Sequence, residues 1–509
     1  MPYTTVTVDS GELRGIDNAG VRSFLGVPYG ASTGGANRFR PPQPVESWDG
    51  VRDALVFGPS APQADTRLTE GARGEKLLSL LYPRTGSPVE GSPMDEDCLR
   101  LNIWTPSTPS ADGLPVLVWL HGGGFTHGSG NEMAFNGDVL AAAEDIVVVT
   151  VTHRLGILGF MDLREFDEAG SANAGMLDIV AALEWVQRNI AAFGGDPARV
   201  TISGQSGGSA KVATLGAMPA AEGLFARSIM MSGPIARANK ADAAASLRAD
   251  VCGMLGVTSS EELRAIPLER LIEAQAEVLR RMPLEPTGDD GRVSLEGIAG
   301  FAPSLDARDL PRDPFGDDAP AALADKALLI GWTTHEAGMF LANDPTFGPQ
   351  MTAGDAAARV AAMPFGASYD ELAAAHPDEP PFLLYARHFS AQMFQVGART
   401  IADQAADRTA DVWAYEFRQP TEVLGGILGA CHSLELAYVF GTVDRVPLTG
   451  RSLDRLAVSR DMMRAWAAFA RIGDPGWPRW SSGDRVVHPF GTTYGPDLSL
   501  PDDLDLAAA

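Results

Sequence analysis

One serine in this sequence has the neighbours that a nucleophile needs. Ser206 lies in Gly204-Gln205-Ser206-Gly207-Gly208, after the β-branched run 200–202 and before the mainly apolar run 210–218. A strand, the pattern G-x-S-x-G and a helix together form a nucleophile elbow, in which the serine occupies a strained turn. The glycines relieve crowding at that turn, and the helix N-terminus directs free backbone N–H groups at the hydroxyl.

The same pattern occurs a second time, at Gly30-Ala31-Ser32-Thr33-Gly34. No strand leads into this copy, which lies among glycines and prolines and reads as a loop. The context therefore favours Ser206 over Ser32 as the nucleophile.

A serine hydroxyl needs a base within hydrogen-bond reach, and the base needs an acid to orient it. Where an elbow carries the serine, the acid and then the histidine follow along the chain, each on a loop after a strand. His432 follows the predicted strand 412–417, and Glu336 follows the predicted strand 327–330. On position alone, either residue could equally have a surface role. The other histidines after the elbow are His335, His376, His388 and His488.

A run of three glycines supplies the third part of such a site. Gly122-Gly123-Gly124 follows the continuous apolar run 115–120. Backbone N–H groups without bulky side chains can bind the negative oxygen of a tetrahedral intermediate, and the N–H of Gly207 would complete that oxyanion hole. The alternative is a simple glycine turn.

The elements around these residues alternate between strands and helices. Continuously apolar strands that alternate with helices predict a mostly parallel sheet covered on both faces, an α/β fold. Glycine turns between short apolar runs predict an antiparallel hairpin region in the first forty residues. We find no second-domain boundary and expect mouth loops at 61–95 and 273–310. The other predicted strands are 146–151 and 228–231, and the predicted helices are 174–190, 241–253, 261–281 and 453–472.

Composition excludes several functions. The 509 residues carry a net charge of −25, which argues against binding to nucleic acid or to an anionic membrane. Cys98, Cys252 and Cys431 are too few and too far apart for a disulfide framework, and no spacing suggests a metal site. The first residues lack a signal-peptide pattern, and no apolar run could span a bilayer. We therefore expect a cytoplasmic protein.

Motifs along most of the chain resemble those of the type-B carboxylesterases, the cholinesterase-like branch of the α/β-hydrolases. The resemblance implies one α/β-hydrolase domain over 1–509, with Ser206 as nucleophile, Glu336 as acid and His432 as base. It also implies Gly123, Gly124 and Gly207 as oxyanion donors, and Ser232 as a serine that supports the acid. The matching stretches are 24–29, 38–42, 96–102, 121–125, 154–156, 189–197, the elbow, 334–336 and 432–440.

The chain departs from the family pattern at several positions. Gln205 replaces the more frequent glutamate and removes a buried carboxylate. Gly207 replaces the more frequent alanine, which implies a larger space and a less rigid donor. Ala337, directly after Glu336, stands where glycine is usual. Cys98 matches a cysteine that secreted relatives use in a disulfide, but no upstream partner exists, so we expect a buried free thiol.

The resemblance implies a serine carboxylesterase for bulky or aromatic esters that needs no metal or cofactor. Its partner is a small-molecule ester, and the family suggests a monomer or a weak homodimer. Hydrolysis of carbamates or amides at the same site is one alternative, and a non-catalytic binding protein is another. Candidate pocket residues, each of which could equally be core, are Phe125, Trp332, Met339 and Phe340.

Overall fold

A computed structural model describes most of the chain. The described residues are 3–63, 79–81, 94–108, 112–233, 238–281, 300–316, 323, 325–363, 366–408 and 411–491.

Within these residues, twelve strands form one sheet. The strands are β1 (Tyr3–Val8), β2 (Gly11–Asn18), β3 (Val21–Pro28), β4 (Val51–Asp53), β5 (Arg100–Pro106), β6 (Leu114–Leu120), β7 (Val147–Thr152), β8 (Gly195–Gln205), β9 (Arg227–Met231), β10 (Ala327–Thr333), β11 (Val412–Phe417) and β12 (Val487–Phe490). Their order is β1-β2-β3-β5-β7-β6-β8-β9-β10-β11-β12, and β4 pairs with β2.

The sheet changes character at β7. The pairs β1–β2, β2–β3, β3–β5 and β5–β7 are antiparallel, whereas every pair from β7–β6 to β11–β12 is parallel. The carboxyl ends of β6, β8, β10 and β11 therefore meet at one edge. The segments that follow these four strands carry the glycine run, Ser206, Glu336 and His432, so the topology gathers all four at that edge.

Helices cover the sheet. They are α1 (Asp138–Glu144), α2 (Gly156–Phe160), α3 (Ala174–Asn189), α4 (Gly207–Ala217), α5 (Ala241–Leu255), α6 (Ser260–Ala265), α7 (Leu268–Arg281), α8 (Ala337–Leu341), α9 (Ala353–Ala361), α10 (Tyr369–Ala375), α11 (Pro381–Ser390), α12 (Val396–Ala406), α13 (Leu436–Val439) and α14 (Asp454–Ile472).

The core lies on both faces of the sheet. All seven residues of β6 are buried, and successive side chains of a strand point to opposite faces. Val118 accordingly belongs to one apolar cluster with Leu183 of α3. Trp119 belongs to the other, with Trp466 of α14. Burial on both faces explains why this strand is continuously apolar rather than alternating.

Most predicted elements are confirmed. The strand 412–417 has the predicted bounds, and the predicted helix 174–190 ends one residue earlier as α-helix and continues as the 3₁₀ turn Ile190–Phe193. The predicted helix 261–281 is instead two helices, α6 and α7, because Pro267 cannot donate to a continuous hydrogen-bond ladder. Most of the predicted mouth loop 61–95 and residues 282–299 of the predicted loop 273–310 lie outside the described residues. The prediction of a loop from 273 is wrong over 273–281, which belong to α7. None of the described helices is both long and apolar enough to cross a membrane.

Candidate active site

Ser206 lies between the end of β8 and the start of α4. Its backbone has φ 56° and ψ −124°, a conformation that costs a non-glycine residue free energy. The flanking glycines are required because the chain crosses itself here. A Cβ on Gly204 would lie 2.3 Å from the backbone of Gly208, and one on Gly208 would lie 2.0 Å from the carbonyl oxygen of Leu120. The predicted strained elbow is therefore present.

The glycine run turns sharply after β6. Gly123 and Gly124 both have positive φ angles, 83° and 62°, and the Gly123 carbonyl accepts from the N–H groups of Thr126 and His127 at 3.3 and 3.2 Å. Within the described part of the chain, the N–H groups of Gly123 and Gly124 have no acceptor. Gly207 is the first residue of α4, so its N–H has no intrahelical partner either.

Gly207 packs directly against the glycine run. A Cβ at this position would lie 2.3 Å from the nitrogen and 2.4 Å from the Cα of Gly124. The larger space expected from the missing methyl is therefore absent, because the backbone of Gly124 occupies it. This contact brings the three candidate donor groups together.

Glu336 and His432 form a buried pair. The Oε2 atom of Glu336 lies 2.5 Å from Nδ1 of His432, and its Oε1 atom accepts from the N–H of Thr333 at 2.7 Å. Both side chains are almost completely buried. The carboxylate therefore favours the tautomer with the proton on Nδ1, which leaves Nε2 available as a base. Ala337, the departure beside the acid, is accommodated as the first residue of α8.

The surroundings of His432 involve Gln205. The amide nitrogen of Gln205 lies 3.5 Å from Nδ1 and 3.3 Å from Nε2 of His432, so it contacts both ring nitrogens. Ser433 donates to Oε1 of Gln205 at 3.1 Å. Among the described residues, the Ser206 hydroxyl makes no hydrogen bond with the imidazole; such bonds often tighten only when substrate binds.

A second buried carboxylate lies beside this pair. The hydroxyl of Ser232 donates to Glu435 at 3.2 Å. Ser232, which we expected to support Glu336, therefore binds a different carboxyl group. Burial, and then the charge of Glu336, raise the pKa of Glu435 well above its usual range. Both effects favour the protonated form of Glu435. The elbow has Gln205 where the family more often has a glutamate, but Glu435 supplies a buried carboxyl group from a different segment. The sequence analysis did not identify Glu435.

A neighbouring network fixes the acid loop to the histidine loop. The His335 N–H donates to the carbonyl of Ala430 at 2.9 Å, and the Ala430 N–H donates to Nδ1 of His335 at 3.1 Å. Nε2 of His335 lies 2.8 Å from Glu379, which Arg387 also binds at 2.8 Å. Burial opposes ionisation of Glu379, but His335 and Arg387 outweigh it and hold its pKa far below the usual range. Glu336 directly follows His335, and His432 lies two residues after Ala430, so these bonds hold the two loops together.

Two aromatic rings flank the imidazole. The ring centroids of Phe340 and Phe394 lie 5.2 and 5.0 Å from that of His432. Phe340 is 47% exposed, an unusual fraction for a large apolar side chain beside a buried group. Of the other candidate pocket residues, Phe125 and Trp332 are buried in the core and Met339 is half-buried.

The remaining candidates have structural environments. Ser32 is exposed in a loop, and its hydroxyl accepts from the Gly34 N–H at 3.3 Å. Cys98, Cys252 and Cys431 are buried free thiols. Burial raises the pKa of Cys431, so it is an unreactive thiol. In the described part of the chain, no group of three or more His, Cys, Asp or Glu residues could hold a metal ion.

Comparison with known proteins assigns the family. The sequence profile of the Carboxylesterase family matches residues 2–360 and 382–496. This chain belongs to that family. The para-nitrobenzyl esterase of Bacillus subtilis (strain 168) is 34% identical over 500 residues, which cover 95% of this chain and 94% of that protein. The phenmedipham hydrolase of Pseudarthrobacter oxydans is 34% identical over 520 residues, with 98% and 97% covered.

Solved structures agree. A PNB esterase structure superposes with a TM-score of 0.80 at 32% identity, covering 100% of this chain and 99% of the other. A thermophilic PNB esterase gives a TM-score of 0.79 at 33% identity, with 100% and 99% covered. The carboxylesterase therefore has the predicted α/β-hydrolase fold, and it is a carboxylic ester hydrolase.

Proposed function

We propose that this carboxylesterase hydrolyses esters through an acyl-enzyme on Ser206. Nε2 of His432 takes the proton of the hydroxyl as the serine oxygen attacks the ester carbonyl, and the imidazolium then protonates the leaving alcohol. A water molecule, activated by the same imidazole, attacks the acyl-enzyme and releases the acid. Glu336 keeps the imidazole in the required tautomer and stabilises its positive form.

The observation that carries this proposal is the buried contact of 2.5 Å between Glu336 and His432 beside the strained elbow. A buried carboxylate without a positive partner costs free energy. The imidazolium that forms during the reaction would be such a partner for Glu336. Ser206 is the nucleophile that we assign to this imidazole, because it occupies the strained elbow one residue after Gln205. Gln205 directly precedes it and touches the ring.

The oxyanion of the tetrahedral intermediate would lie against Gly123, Gly124 and Gly207. Their N–H groups have no acceptor among the described residues, and the tight packing of Gly207 on Gly124 supports a preorganised set. Preorganised donors need no rearrangement when the charge develops, and loss of one typically costs about 3 kcal/mol of transition-state stabilisation.

Bulky or aromatic esters are the proposed substrate class. The exposed ring of Phe340 and its neighbour Phe394 present an aromatic surface beside the base, on which an aromatic group could stack. One relative is named for para-nitrobenzyl esters, which fits the same class. Carbamate and amide hydrolysis remain alternatives for the test below.

The proposed protein is a single hydrolase domain in the cytoplasm. The sheet joins strands from both ends of the sequence, from β1 to β12, which supports one domain. Its three buried cysteines are unpaired, as expected in a reducing compartment.

Turnover assays test the proposal. Wild type should hydrolyse p-nitrophenyl acetate and p-nitrophenyl butyrate, Ser206→Ala should fall to background, and Ser32→Ala should match wild type. Replacing Phe340 by Ala should raise KM more for a benzyl ester than for a methyl ester of the same acid. Faster turnover of matched carbamates or anilides than of esters would favour the alternatives, and full activity in Ser206→Ala would contradict the proposal.

A further inference from the structure

A lysine is buried directly behind the glycine run. Lys211 lies in the first turns of α4, five positions after Ser206, in a helix whose residues are all buried. Its side chain has no solvent exposure. Lysine is almost never fully buried unless it is paired. Within the described residues, however, no carboxylate contacts this ammonium.

The ammonium instead contacts both ends of the glycine run. Nζ donates to the carbonyl oxygen of His121 at 2.8 Å, directly before Gly122. It also lies 5.9 Å from the ring centroid of Phe125, directly after Gly124 and within the range of a cation–π interaction. One side chain therefore holds the segment that enters the run and the residue that leaves it.

Among the described residues, the charge of Lys211 acts on three imidazoles, and an ion pair lies beside one of them. Burial, and then the charge of Lys211, lower the pKa values of His121, His127 and His153, so that all three rings are neutral at pH 7. Arg154 is bound by Asp178 through two hydrogen bonds of 2.8 and 2.6 Å. In the part of the chain that the structure describes, no anion therefore neutralises the ammonium of Lys211.

We propose that Lys211 is a positioning residue of the oxyanion hole, which clamps the glycine run and stabilises the developing negative charge from behind. The inference rests on the proposed function of Ser206. An uncompensated positive charge in a dry interior acts strongly on a nearby charge that forms only in the transition state. Substrate binding, in which the carbonyl is neutral, gains much less from it.

The position of Lys211 also makes its charge dependent on pH. Burial lowers the pKa of Lys211 to about 7. Above this pH the neutral amine still donates to His121 but no longer stabilises an anion. The value of kcat should therefore fall as the pH rises through about 7.

Two variants separate the charge from the clamp. Lys211→Gln retains a donor for the His121 carbonyl without a charge, and Lys211→Met removes both. We expect kcat to fall about tenfold in the first variant and about a hundredfold in the second at pH 6.5, with KM within about threefold of wild type. The falling limb of kcat should disappear in both. Lys326→Met is the matched control, because that lysine also contacts a phenylalanine ring, 5.4 Å away, and should keep the wild-type profile.

Binding of a transition-state analogue is a second measurement, and its pH dependence can be followed in the wild-type enzyme alone. A trifluoromethyl ketone forms an oxyanion on the serine, so its affinity for wild type should weaken as pH rises through about 7 and should fall in the variants in parallel with kcat. Wild-type kcat and inhibitor affinity in Lys211→Met, or a falling limb that persists in it, would overturn the proposal. Measuring Ser206→Ala alongside separates this from failure of the proposed nucleophile, since activity there would reject Ser206 itself.

Discussion

The two halves of the candidate site are held together by different interactions. In the acid–histidine half (residues 333–336 and 430–435), charges and side-chain hydrogen bonds fix the geometry: Glu336 binds His432, and Glu379 binds His335. In the glycine half (residues 121–125 and 204–211), the glycines allow backbone segments to pack directly against each other, as Gly207 does against Gly124.

The two halves should therefore tolerate different kinds of substitution. The acid–histidine half should respond to changes of charge at constant shape, whereas the glycine half should respond to the addition of a single methyl group. Lys211 is the exception, because it brings a titratable charge to the glycine half. Substitutions that alter only charge or only volume can therefore test the division.

The largest effect should follow from Glu336→Gln, which removes a charge and keeps the shape. The amide cannot stabilise the imidazolium and favours the wrong tautomer, so kcat should fall roughly 10⁴-fold with little change in KM. Steady-state kinetics on p-nitrophenyl butyrate measure this, and circular dichroism checks the fold. A loss below about tenfold would remove Glu336 from the triad.

A single methyl group should disrupt the glycine half. In Gly207→Ala the Cβ would lie 2.3 Å from the nitrogen of Gly124, so the run must move away, and kcat should fall roughly 10²-fold. The control is Gly253→Ala in α5, where a Cβ meets nothing within 4 Å and kcat should be unchanged. Equal activity in the two variants would show that the run is not tightly packed.

The anchoring network should affect stability more than catalysis. Glu379→Gln leaves Arg387 and His335 without their carboxylate, and breaking a buried pair costs about 3 kcal/mol of unfolding free energy. Since the folded-state pKa of Glu379 is lowered, its contribution is present above the unfolded-state pKa of about 4.3 and is lost as pH falls below it.

Urea unfolding at several pH values measures this dependence. The difference between wild type and Glu379→Gln should be full at pH 7 and shrink below about pH 4.3. The partly exposed pair of Asp344 and Arg359 provides the control, because Asp344→Asn should change the unfolding free energy by less than about 1 kcal/mol. A difference that is independent of pH would contradict the assigned ionisation.

The smallest effect should follow from Glu435→Gln. Burial and the charge of Glu336 raise the pKa of Glu435 well above its usual range, which favours its neutral form. An amide should replace a neutral carboxyl with little loss of kcat. We expect kcat within about threefold of wild type at pH 7. A fall comparable to that of Glu336→Gln would instead indicate that Glu435 is ionised.

The sequence predicted the central strands and the residues at their ends better than it predicted the residues that support them. β11 is found at its predicted bounds because an apolar strand buried on both faces has no competing interpretation. β5 was missed because polar Arg100, Asn102 and Thr105 interrupt its apolar residues, although the whole strand is buried. The split between α6 and α7 was marked by Pro267, a signal that was present and not used.

The supporting residues depend on contacts between distant segments. Glu435 meets Ser232, and His335 meets Glu379, over separations of 203 and 44 residues, which no local pattern encodes. Lys211 did leave a trace, as an isolated charge in the apolar run 210–218. The close packing of Gly207 could not be inferred, because the sequence alone gives no distance to Gly124.

The most direct test of the central claim is to identify the residue that becomes acylated. Active enzyme treated with a fluorophosphonate and digested should carry one adduct, on the peptide that contains Ser206, in proportion to the activity lost. Ser206→Ala should remain unlabelled, and Glu336→Gln should label far more slowly than wild type. Inactivation with the adduct on Ser32 or any other residue, while Ser206 stays unmodified, would contradict the account.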